Sequence, residues 1–235
     1  MKKLNITETL ISGLIDEVVP LVERVTKWNI QTRSLCTRVL PKDRGYEEVL
    51  LGRLQGAGIY IDEDHPRSIV ERLIEYVVEA NICGAYQPST QEILIIRENV
   101  DESNLEGLKV VVAHELVHRG QHVNFPNLFD QVDEIIREFF NCYSQEEANL
   151  QEALQIINRA GPIMTLLESH AHYVQDLLRQ SYFPEAKIET HFNLATLLMQ
   201  LFGRKKISQY TEGIPEVAAA IASGKIDSLY SAFDR

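Results

Sequence analysis

His114, Glu115 and His118 lie in the run VVVAHELVHRGQH at residues 110–122 and together spell H-E-x-x-H. On a helix of about 3.6 residues per turn, positions i and i+4 share one face. Both imidazoles can then reach a single tetrahedral zinc ion at about 2.0–2.1 Å. Glu115 sits roughly 100° around the helix from His114, placed to work on a water at the metal without being a ligand itself. Leu108, Val110, Val111, Val112, Ala113, Leu116 and Val117 make the segment apolar nearly all round, as in a helix buried at the centre of a domain. Two histidines and a glutamate there are costly unless something satisfies them. Core hydrogen bonds would satisfy them too, but would not explain the spacing. A metal explains both.

A catalytic zinc usually has three protein ligands, with water in the fourth position. His122 cannot be the third, because an unbroken helix carries it about 6 Å further along the axis than His118. The longer H-E-x-x-H-x-x-G-x-x-H pattern is also absent, since Gly120 follows the second histidine by two residues rather than three. Candidates occur fifty residues on, in IMTLLESHAHYVQDLL at 163–178. Its apolar stripe runs through Ile163, Leu167, Ala171, Val174 and Leu178. Glu168 borders that stripe, His170 lies nearer its middle, and His172 shares Glu168's face one turn later. On chemistry alone any of the three qualifies. A glutamate on the flank of such a helix is ordinarily solvated, but the density of ligand-type residues in a chain that needs a third ligand favours the metal role.

The elements that must position these residues read as mainly α, α+β at most. Apolar residues at helical spacing predict a helix over 7–30, kinked or broken at Pro20. Residues 34–61 are mixed, their four glycines suggesting loops and short elements. An amphipathic helix follows over 65–80. Strand, turn, strand over 84–96 forms a β-hairpin, and it precedes the HExxH helix. Helices are then predicted over 129–141, 145–158, 162–180, 187–202 and 215–229, punctuated by Gly-Pro and Phe-Pro steps. No repeat, low-complexity tract or linker divides the chain, so residues 1–235 read as one domain. Within it, 1–83 form a helical N-terminal part, and 84–235 hold the metal-site core and C-terminal helices.

Composition narrows the partners. A net charge of −11 argues against nucleic acid or anionic membrane. Arg204, Lys205 and Lys206 form the one dense basic cluster, too small for a binding stripe. Cys36, Cys83 and Cys142 are isolated, with no CxxC spacing, which fits a reducing compartment. Neither a signal peptide nor a membrane-spanning run is expected, so the reading is a cytoplasmic protein.

HELVH with a downstream ESHAHYV resembles the gluzincin class of zinc metallopeptidases, in which a glutamate from a later helix completes the site. The hairpin GAYQPSTQEILII resembles the edge strand that zincins place beside their substrate cleft. The C-terminal run, with Lys206, Gln209, Tyr210 and Gly213 in a K-x-x-Q-Y-x-x-G pattern, is similar to the tail of an uncharacterised bacterial family of zincin-like putative hydrolases. The resemblance covers roughly 84–235. It departs from the thermolysin type at His172, where that group carries an acid four residues after its glutamate ligand. It implies a zincin-like helical domain with one Zn2+ per chain, held by His114, His118 and Glu168.

The expected chemistry is hydrolysis of an amide or peptide bond by a zinc-activated water, with Glu115 as general base. The substrate would be a peptide or a small amide. His172, Tyr173 and Tyr210 are candidates to stabilise the oxyanion, by residue type and neighbourhood. The alternative is a non-catalytic zinc protein, for which an acid at 115 has no use. A di-iron carboxylate bundle would need a second E-x-x-H pair, which the chain lacks. Neither the bond cleaved nor the oligomeric state is legible.

Overall fold

The computed structural model describes residues 3–59, 82–143, 150–186 and 213–233. The expected helices over 65–80 and 187–202, the basic cluster at 204–206 and Tyr210 lie outside these residues. The architecture is mainly α with a small sheet. Its described elements are α1 (Glu8–Thr26), β1 (Cys36–Leu40), α2 (Lys42–Gly56), β2 (Gly84–Gln87) and β3 (Glu92–Ile96). These are followed by α3 (Leu105–Asn124), α4 (Pro126–Tyr143), α5 (Leu150–Asn158), α6 (Gly161–Tyr182), α7 (Ile214–Ala222) and α8 (Ile226–Ser231).

α3 is the centre of the molecule. The Asn104 side chain starts it by accepting from the Gly107 N–H at 2.8 Å. From Gly107 to Gln121 nearly every residue is buried, as the all-round apolar sequence requires. One apolar core joins α3 to α1, the sheet and α6 through Ile11, Val18, Ile93, Val111, Leu116 and Val174. A second core gathers α2, α4, α5, α6 and α8 around Leu54, Phe139, Leu167 and Tyr230. α3 and α6 pack directly on one another, which brings the two ligand-bearing segments together.

Packing corrects the expected elements at three places along the chain. Pro20 sits inside α1 without ending it. A proline removes one helical hydrogen bond, and the buried row Ile11, Leu14, Ile15, Val18 and Val22 carries the helix past that loss. The helix ends earlier than residue 30, at a left-handed Lys27 with φ of 64°. Residues 34–59 hold a third strand, one of the short elements expected there, and a 15-residue helix in place of loops. Within α2, a Cβ on Gly52 would come 2.3 Å from the Gln87 side chain, so that glycine serves close packing of the helix on the sheet. The segment 215–229 is two helices, broken at Gly224 with φ of 65°.

The sheet has the order β1-β3-β2. β3 runs parallel to β1 and antiparallel to β2. Ile93–Ile96 therefore belong to the central strand, and the edge that approaches α3 is β2.

Candidate metal centre

α3 presents His114 and His118 one turn apart, and α6 supplies Glu168 opposite them. The His114 Nε2 and His118 Nε2 atoms are 3.1 Å apart. The Glu168 carboxylate lies 3.6 Å from His114 Nε2 and 3.4 Å from His118 Nε2. Four ligands at about 2.0–2.1 Å from a tetrahedral zinc stand about 3.3–3.4 Å from one another. The observed triangle, closed by both Glu168 oxygens, Oε2 toward His114 and Oε1 toward His118, is close to that size. Among the described residues, these three form the one group of metal-type donors that converges in this way. All are buried, and the most exposed of them, His118, is at 8%.

Hydrogen bonds behind the imidazoles settle which way their lone pairs point. His114 Nδ1 meets Gln175 Oε1 at 2.8 Å, and His118 Nδ1 meets Gln121 Oε1 at 2.8 Å. The Gln121 amide is oriented by its own partner, because its Nε2 donates to the Leu167 carbonyl at 2.8 Å, a group that only accepts. Each Nδ1 therefore carries a hydrogen, and in the neutral imidazole each Nε2 carries a lone pair. Two lone pairs and a carboxylate face one another in a buried space. A proton could relieve one of these contacts, whereas a divalent cation relieves all three. The donor set fits zinc. Burial opposes the charge on Glu168, and a proton on His118, His114 or His172 beside it draws the carboxyl down to about 2. Without a metal, a proton therefore takes the place between carboxylate and rings that a cation would hold.

Glu115 is 1% exposed, and its carboxylate lies beside β2 and within electrostatic reach of His114, His118 and Glu168. The Tyr86 backbone N–H donates to its carboxylate. A Cβ on Gly84 would stand 3.4 Å from Glu115 Oε1 and 2.8 Å from Val111 Cγ1, so the strand lies tight against the acid. Burial pushes the Glu115 carboxyl above the usual carboxylate range. His114 and His118 pull against that shift, and Glu168 adds to it.

The other candidates separate cleanly. His170 is fully buried with its ring edge-on to Trp28 at 4.8 Å, and its Nδ1 meets the Tyr230 hydroxyl at 2.9 Å. Burial, with His118 adding to it, lowers its pKa to about 3 and keeps it neutral. It is a packing residue rather than a ligand. His172 is half-buried, its ring 5.0 Å from that of His114, and burial lowers its pKa to about 4. It borders the site. Tyr173 packs between the two cores. His122 faces the Tyr86 hydroxyl at 2.8 Å, away from the triangle.

Several residues of the site escaped sequence reasoning. Gln121 and Gln175 orient the histidines, Tyr230 holds Gln121, and Tyr86 holds Glu115. Arg119 is 4% exposed and donates to the Tyr86 hydroxyl, the Gln31 carbonyl and Ser34 Oγ, pinning the segment before β1 onto α3. Their spacing offered a faint signal. Gln121 follows His118 by three residues, and Gln175 follows Glu168 by seven, both on the facing sides of their helices.

Compared with family models, curated proteins and solved structures, the chain matches none.

Proposed function

We propose that this protein is a zinc-dependent metallohydrolase that cleaves an amide or peptide bond, with His114, His118 and Glu168 holding one zinc ion. The observation that carries the reading is the convergence of two Nε2 lone pairs and a carboxylate at 3.1–3.6 Å. Zinc in such a site supplies Lewis acidity and brings the pKa of a water toward about 7. Glu115 receives the proton of the attacking water and returns it to the leaving nitrogen. The Tyr86 N–H keeps its carboxylate in one orientation meanwhile. His172, whose ring lies 5.0 Å from that of His114, is the described candidate to meet the developing oxyanion.

Burial selects among substrates. All four residues of β2 are buried, and the Tyr86 N–H is taken by Glu115. An extended peptide added to that strand edge would need those groups open. A small amide suits the enclosed site better. The three cysteines are free thiols and no helix among the described residues is long and apolar enough to cross a membrane; together these support a cytoplasmic enzyme.

The same enclosure favours a second reading, a zinc site that only stabilises the helical scaffold. One experiment separates the two. Zinc content is measured on wild type and Glu115→Gln, and both are assayed on a panel of small amides and dipeptides. About one zinc per chain in each, with turnover reduced by at least about 10²-fold in the variant, is the expected result. Zinc-loaded wild type inert across the panel would leave the structural reading, and equal turnover in the two would remove Glu115 as the base.

A further inference from the structure

We propose that Tyr230 is a positioning residue for the metal centre, holding His118 in its ligating orientation through Gln121 from the C-terminal helix α8. The proposal rests on the metal-binding reading above. Tyr230 is fully buried, its ring stacked on Phe125 at 4.6 Å and edge-on to Trp28 at 5.2 Å. Those contacts would suit a phenylalanine equally well. A hydroxyl buried this deeply needs partners, and it has two. It accepts from Gln121 Nε2 at 2.8 Å and shares a hydrogen bond with His170 Nδ1 at 2.9 Å.

The Gln121 amide is the hub. Its Nε2 donates to both the Tyr230 hydroxyl and the Leu167 carbonyl, each at 2.8 Å, so the amide oxygen is left for His118 Nδ1. Leu167 immediately precedes Glu168, so one amide ties together the helices that carry the ligands. With both Nε2 hydrogens used, the amide cannot rotate without leaving a buried donor unpaired. Without the hydroxyl, one of those hydrogens has no acceptor there, and the orientation that selects the Nδ1–H tautomer of His118 is held from one side only. Tyr230 lies 109 residues from Gln121. Trp28 Nε1 anchors α8 at Asp227 Oδ1, 2.7 Å away. The site's geometry is thereby set by the end of the chain.

The test uses the full chain and zinc alone, with affinity read by chelator competition and site geometry by the visible spectrum of the Co2+ form. Tyr230→Phe should keep the far-UV spectrum, weaken zinc binding by about 10-fold and alter the cobalt bands. Asp227→Ala, which loosens the same helix and leaves the hydroxyl, should change affinity less than about 2-fold. Gln121→Met should match or exceed the Tyr230→Phe loss, and adding Tyr230→Phe to it should cost little more, because both act on one path. Each arm of that cycle is compared only where the far-UV spectrum is that of wild type. Unchanged zinc affinity in Tyr230→Phe, equal weakening in Asp227→Ala, or additive losses in the double variant would each overturn the proposal. Wild type that binds no zinc would instead overturn the metal-binding reading beneath it.

Discussion

His114 Nε2 and His118 Nε2 stand 3.1 Å apart with a glutamine oxygen behind each ring. This pairing turns two lone pairs toward each other, and an added proton or a cation is needed to separate them. It is unfavourable for an empty core and favourable for a cation site. The predictions below follow from it and from its surroundings.

In the proposed zinc site the third ligand is Glu168 rather than its histidine neighbours. Glu168→Ala should lower zinc affinity by at least about 100-fold, and His114→Ala should abolish stoichiometric binding. His170→Ala should still fill with zinc at saturating metal while losing about 2 kcal/mol of stability, through the cavity and the broken bond to Tyr230. Near-stoichiometric zinc in Glu168→Ala, measured on dialysed protein, would remove Glu168 from the site.

Gln175 sets the His114 tautomer as Gln121 sets that of His118. Gln175→Leu keeps the volume and removes the acceptor, so zinc affinity should fall by about 10- to 100-fold. Chelator competition checks this, and affinity equal to wild type would mean that the 2.8 Å contact is incidental.

Gly84 lets β2 lie against Glu115. A methyl group there would meet Val111 Cγ1 at 2.8 Å, so Gly84→Ala should cost about 1–3 kcal/mol by overpacking. Because the strand carries the Tyr86 N–H that holds Glu115, turnover should fall while zinc content stays at one. Loss of zinc in parallel with turnover would show a global defect instead.

Metal-free protein should lose stability in mild acid. His122, His170 and His172 have folded-state pKa values of about 4, 3 and 4, each lowered chiefly by burial from 6.5. The unfolded chain therefore takes up protons first as the pH falls, and stability declines from about pH 6.5 down toward pH 4. Urea melts at pH 7, 6 and 5 should show this slope. In His170→Gln it should shrink by about one proton, roughly 1.4 kcal/mol per pH unit. An unchanged slope would mean that His170 is not held neutral by the fold.

Much of this was legible in particular residues. The i, i+4 spacing of His114 and His118 within an apolar run already required a buried helix with both rings on one face, and α3 is that helix. Glu168 at the border of an apolar stripe pointed to a residue lining an interior space, and it faces the pair. The β-hairpin followed from β-branched runs around Pro88. β1 and α2 were not legible, because a five-residue strand with one aliphatic face and a helix carrying packing glycines have no periodicity of their own. The second helix break, at Gly224, depended on one backbone angle.

By itself, the sequence determined the donors and the face that carries them, since helical spacing is a local property. Tertiary structure alone decided which donor completes the set and which way each ring points. Glu168, His170 and His172 are chemically equivalent candidates along one helix, and only the packing of α6 on α3 turns the carboxylate inward while Trp28 and Tyr230 take up His170. The tautomers rest on Gln121, Gln175 and Tyr230, held 3, 61 and 109 residues from their partners. The contacts across 61 and 109 residues leave no periodic trace in a chain, so the H-E-x-x-H motif became a three-donor site only through folding.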